Sequence, residues 1–100
     1  MGEEMTAYHD TLTLDANTWK ALTSGTITAG RFTNLSGAPV WLQATAANTA
    51  PTSRVGAVPL QPGLSIAADL TLAQMFPGVT SAAYLWGYCE MGGSMSVSHA

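Results

Sequence analysis

Charge is what this sequence has least of. Only three basic and six acidic residues occur among its 100 residues, a charged share of 9%, where about 25% is usual for a soluble domain. That excludes a surface built mainly of solvated ions. A 10.4 kDa globule exposes on the order of 5,400 Å², so Thr, Ser, Asn, Gln and backbone must supply most of its polar surface. Such a surface suits a domain that neighbours cover. The cations Lys20, Arg31 and Arg54 are too few and scattered for a phosphate-binding patch, which argues against a nucleic-acid partner.

Cysteine is nearly absent too. Cys89 stands alone and cannot close an internal disulfide, so the fold needs no oxidising compartment. It reads as a small buried apolar residue. No basic start leads into an apolar run, and no run approaches the length of a spanning helix. Synthesis in a cytoplasm, without a membrane partner, is the expectation. The two histidines, His9 and His99, lie near opposite ends, and no C-x-x-C or H-x-x-x-H spacing marks a metal site. His99, beside the terminus, reads as a surface or interface residue. No G-x-S-x-G is present, nor a base and orienting acid beside a nucleophile. Asp10, Asp15, Asp69 and Glu90 each stand by a turn or strand end, where capping or solvation accounts for them. The expectation is a protein that is not an enzyme and takes no cofactor and no metal.

Two pattern matches fail on physical grounds. The first six residues fit a myristoylation pattern, but Glu3 and Glu4 oppose anionic lipid and no basic residue follows to help a single acyl chain. Asn34-Leu-Ser36 fits a glycosylation sequon, yet without a secretory signal it reads as a hairpin loop.

What the chain does have is β-compatible alternation. Met1 to His9 is polar and without period and reads as an N-terminal arm; residues 10–100 read as one domain. Thr11 to Leu14 alternates as a first strand with Leu12 and Leu14 inward, and Asp15 to Asn17 is a turn. Trp19, Ala21 and Leu22 form an apolar segment whose state the pattern leaves open. From Gly25 to Asn34 the chain is strand-like, with a bulge at Ala29-Gly30 needed to bring Ile27 and Phe32 to one side. Asn34 to Gly37 then predicts a hairpin into Pro39 to Thr45, with Val40 and Leu42 on one face and Trp41 and Gln43 on the other. A long Ala-, Asn- and Thr-rich loop with Pro51 and Arg54 follows. Two short strands flank Gln61-Pro-Gly63, where Pro-Gly suits a type II turn. A helical turn is expected near 71–76, capped by Asp69 or Thr71 and stopped by Pro77-Gly78. The last strand places Met95, Val97 and His99 on one face and serines on the other. About seven short strands with turns between them predict an all-β, single-domain sandwich of jelly-roll-like form.

The strongest pattern is Ser81 to Cys89. Period two puts Tyr84, Trp86 and Tyr88 on one face and Ala83, Leu85, Gly87 and Cys89 on the other. Neither face is polar, so both should be covered, one by the core and one by something else. Which face is core stays open. The candidate interface residues are Trp41, Ala83, Tyr84, Leu85, Trp86 and Tyr88. A protein interface outranks a sugar-stacking platform, because sugar sites add clustered Asp, Asn or Arg donors that the sequence does not group here.

The succession Gly25 to Ser36, Pro39-Val-Trp-Leu42, Ala50-Pro-Thr52, Leu60-Gln-Pro-Gly63, Phe76-Pro-Gly-Val79 and Val97-Ser-His-Ala100 resembles small virion proteins of tailed bacteriophages, the head decoration or cement class. The likeness covers about residues 20–100 and consists of turn and strand patterns. It implies a β-sandwich or jelly roll on the virion, present in many copies or as a homo-oligomer. Such a protein would bridge subunits of the major capsid protein or other virion proteins. It carries over no functional residue. The alternative reading is a tail or head-fibre module that binds a host glycan through Trp41 and the tyrosines.

Overall fold

A computed structural model describes residues 8–23, 30–66 and 72–99. Its elements are β1 (Tyr8–Leu14), β2 (Trp19–Ala21), β3 (Gly30–Asn34), β4 (Val40–Thr45), β5 (Val58–Leu60), β6 (Ser65–Ile66), α1 (Leu72–Met75), β7 (Tyr84–Tyr88) and β8 (Gly93–His99). Tyr8 and His9, assigned to the arm on sequence, already belong to β1. The rest of the arm and the cap at Asp69 or Thr71 fall outside the described residues, as does Ala29 of the bulge expected at Ala29-Gly30.

The strands form two antiparallel sheets, ordered β1-β8-β3-β6 and β2-β7-β4-β5. Consecutive strands change sheet at every step except β4 to β5, which is the winding of a jelly roll. Alternation along each strand then decides what lies between the sheets. Val40, Leu42 and Ala44 of β4, Phe32 of β3, and Met95 and Val97 of β8 point inward and are buried, joined by Leu14, Leu60, Leu85 and Cys89. Leu72 of α1 and Phe76 just beyond it complete the cluster. Full burial of each large side chain is worth about 1.5–3 kcal/mol, so this layer holds the two sheets face to face.

The predicted hairpin between β3 and β4 does not form. β3 pairs with β8 and β6, whereas β4 pairs with β7 and β5. The segment between them crosses from one sheet to the other, and Asn34 explains why. Its side chain is 0% exposed. Its Nδ2 donates to the carbonyls of Ala38 and Leu60, both at 2.8 Å. Its Oδ1 accepts the Ser36 N–H at 2.7 Å. Two carbonyls facing Nδ2 and an N–H facing Oδ1 fit only one orientation of the amide. The Ser36 hydroxyl, in turn, donates to the Ser94 carbonyl and accepts the Ser94 N–H, at 3.1 and 3.0 Å. The corner is thus pinned to β5 on one side and β8 on the other. A Cβ at Gly93 would run into the Ser36 side chain, so this close approach requires glycine there.

At Gln61-Pro-Gly63, Leu64 N–H donates to Gln61 O at 3.1 Å and Gly63 has φ of 79°, as a type II turn requires. His99 departs from expectation. It is 7% exposed, because β8 is not an edge strand: Tyr8 and Gly30 flank His99 from β1 and β3. Burial disfavours the charged imidazolium and lowers its pKa from the ordinary value of 6.5, against the opposing effect of a backbone hydrogen bond.

Candidate functional site

The face of β7 that meets the core is the small one. Leu85 and Cys89 are both 0% exposed and belong to the core cluster. Gly87 leaves the space that Leu22 and Val40 fill: a Cβ there would lie 3.3 Å from a methyl of each. No aromatic fits that side of the strand. Tyr84, Trp86 and Tyr88 therefore lie on the outer face of sheet β2-β7-β4-β5.

Strand register assembles the rest of that face. Trp19 pairs with Tyr88, Tyr88 with Trp41, and Trp41 with Pro59. Because strands lie ~4.8 Å apart, these side chains form one row across all four strands. A second row runs Ala21, Trp86, Gln43, and a third pairs Tyr84 with Thr45. Within the first row the Trp19 and Tyr88 rings are 5.1 Å apart between centroids and tilted by 50°, a favoured aromatic arrangement.

Polar groups edge these rings. The loop between β4 and β5 brings the Arg54 guanidinium over two of them, 5.5 Å from the Trp41 centroid and 5.2 Å from that of Tyr88. Arg54 also pairs with Glu90 at 2.8 Å. Gln43 holds the loop down by donating to the Val55 carbonyl at 2.9 Å. The Tyr88 hydroxyl donates to Asn17 Oδ1 at 3.1 Å; Asn17 has φ of 56°, a left-handed conformation that Asn tolerates. Trp86 donates its indole N–H to Thr45 Oγ1 at 2.9 Å.

The six sequence candidates thus divide. Trp41, Tyr84 and Tyr88 are half-buried on the outer face. Trp86 shares it but is only 7% exposed, without joining the core cluster. Ala83 is half-buried just before β7, where its N–H donates to the Thr45 carbonyl at 2.9 Å. Leu85 is core and offers no surface. Missed on sequence were Trp19, Arg54, Glu90 and Asn17 as neighbours of the aromatics. Once β2 is taken as a strand, the period-two rule groups Trp19 and Ala21 on one face; nothing in the local sequence shows the Arg54 loop folding back.

The opposite outer face, on sheet β1-β8-β3-β6, has a different chemistry. Thr11, Ser96, Thr33 and Ser65 align across it, with Thr13 beside Ser94 and Ser98 between His9 and Arg31. Thr33 and Ser65 share a hydrogen bond of 2.6 Å. Among the described residues no three His, Cys, Asp or Glu side chains gather as metal ligands, and no helix is long and apolar enough to cross a membrane. No family model, curated protein or solved structure matches the chain.

Proposed function

We propose that the protein is a structural component of a tailed-bacteriophage virion: a capsid decoration protein, made in the host cytoplasm, that bridges subunits of the major capsid protein. The observation that carries this reading is the aromatic outer face, where Trp19, Tyr88 and Trp41 stand in one row beside Tyr84 and Trp86. Aromatic residues and Arg are enriched at the centres of protein interfaces and supply most of their energetic anchors. Here Arg54 lies over Trp41 and Tyr88 on a domain with very few charges. The jelly roll supports the reading by analogy, since it recurs in viral capsid proteins; it also recurs in lectins, and a fold alone does not fix a function. A standard interface of roughly 800 Å² per partner would cover about 15% of a domain this size.

The test is sedimentation with virions and with empty capsids. The protein is expected to co-sediment with heads, to bind capsids, and to lose at least tenfold in affinity on Trp41→Ala or Tyr88→Ala, in line with loss of a binding anchor. A soluble protein that ignores intact capsids would refute this reading.

One observation favours a second reading, glycan binding. The structure brings Arg54, Glu90 and Asn17 beside the stacked aromatics, supplying the polar partners a sugar platform needs. Under that reading, Trp41→Ala abolishes binding on a glycan array and leaves particle stability unchanged. Under the decoration reading, the same substitution lowers particle stability.

A further inference from the structure

The loop between β4 and β5, residues 46–57, folds back over the aromatic face without contributing a buried side chain. Its residues are exposed except Pro51 and Ala57, which are half-buried, and none belongs to the core cluster. Its base is tied to the end of β4, where Thr45 Oγ1 donates to the Ala47 carbonyl at 2.7 Å. Over the face itself it is held by polar contacts in reach of water. Gln43 donates to the Val55 carbonyl, and Arg54 pairs with Glu90, their side chains 40% and 58% exposed. The Arg54 guanidinium rests on Trp41 and Tyr88, the middle of the row Trp19, Tyr88, Trp41, Pro59. The chain's own cation therefore covers the centre of its aromatic face.

We propose that this loop is a strap with Arg54 as its latch, opening while the two sheets stay folded, and that opening bares the Trp41 and Tyr88 rings and frees the guanidinium. An exposed ion pair, cation–π contact or hydrogen bond each shifts an equilibrium by about tenfold at most. A segment held by such contacts, with no apolar side chain buried, opens far more readily than the whole domain unfolds. The sheet beneath is fixed separately, by the buried layer between the sheets. Arg54 makes the ion pair and both ring contacts, so release of one side chain ends all three. The latch also rides on a preformed turn: Ala57 N–H donates to the Arg54 carbonyl at 3.0 Å, with Gly56 at φ of 82°, so residues 54–57 lift together. The strap rests on contacts within the chain and does not depend on the virion reading.

Limited trypsin digestion of the full chain tests it. Trypsin takes the Arg or Lys side chain before the cut bond into its own pocket, so cleavage after Arg54 requires the guanidinium to have left the rings. Arg31 lies inside β3, paired with β8, and its cleavage reports global unfolding. Under native conditions the cut after Arg54 is expected to be at least about tenfold faster than the cut after Arg31. Glu90→Ala should speed the Arg54 cut about two- to fivefold, the weight of an exposed ion pair, and leave the Arg31 cut unchanged. Glu90 is exposed, so this variant should keep the wild-type circular dichroism spectrum. A second measurement needs no protease: Arg54→Ala should raise hydroxyl-radical labelling of Trp41 and Tyr88 relative to the exposed Met91. An Arg54 cut no faster than the Arg31 cut, or one that Glu90→Ala leaves unchanged, overturns the proposal. Unchanged labelling of both rings in folded Arg54→Ala overturns it as well.

Discussion

Asn34 holds the corner that makes this fold a jelly roll, and replacing it should show how much the corner contributes. Asn34→Ala removes the partner of three backbone groups at once: the Ala38 and Leu60 carbonyls and the Ser36 N–H. Each buried group left unsatisfied costs about 1–3 kcal/mol. Water can reach Ala38, which is half-buried, so the low end applies, and three groups at that end sum to about 3 kcal/mol. Against a typical total stability of about 5–15 kcal/mol that is a large fraction. A shift of about 4–8 °C per kcal/mol converts it to a fall in Tm of about 12–24 °C, measurable by calorimetry or circular dichroism. Asn34→Asp separates hydrogen bonding from shape. It preserves the volume and the acceptor for Ser36, but turns an oxygen toward two carbonyls. Burial and those carbonyls raise the folded-state pKa of the new carboxyl above its unfolded value. Its stability should therefore be greatest below the unfolded pKa and fall as pH rises through the folded one. Loss of less than about 1 kcal/mol in both variants would refute the reasoning that Asn34 pins the corner.

Three further outcomes follow from individual contacts. His99 is buried with a lowered pKa, so the unfolded chain takes up its proton first. The His99 contribution is complete above the ordinary value of 6.5 and is lost as pH falls from there through the folded pKa; denaturant titrations across that range should show the slope, and His99→Gln should flatten it. Gly93→Ala drives a methyl into the Ser36 hydroxyl, which two hydrogen bonds hold in place; chemical denaturation should report a loss of about 1–3 kcal/mol, and pairing it with Ser36→Gly should recover part of that. Arg54→Ala removes an exposed ion pair and a cation–π contact and should cost no more than about 1 kcal/mol, yet it should change the fluorescence of Trp41, on which Arg54 rests.

Local pattern carried much of this fold. Alternation placed Val40, Leu42, Met95 and Val97 on inner faces, and Pro62-Gly63 announced its turn. What stayed hidden were relations between strands. Asn34-Leu-Ser-Gly37 has the composition of a hairpin loop, and five residues also suffice to cross between sheets; the buried amide that decides between them acts on Leu60, distant in sequence. His99 read as a surface or interface residue because it is near the terminus, but β8 is an inner strand of its sheet. The 81–89 stretch showed two apolar faces without showing which one was core. Gly87 decides it, because the space it leaves is filled by Leu22 and Val40, and one of those residues lies on another strand while the other follows one. The aromatics of the candidate site were visible; their polar rim was not, because Arg54 and Glu90 meet across 36 residues.

The claim that the aromatic face meets a partner is tested most directly by hydroxyl-radical footprinting of the protein free and on capsids. Labelling of Trp19, Trp41 and Tyr88 is expected to fall on the particle, while that of Met91, exposed outside the described rows, serves as the internal reference. Unchanged labelling of all three aromatics on particles that carry the protein would contradict the account.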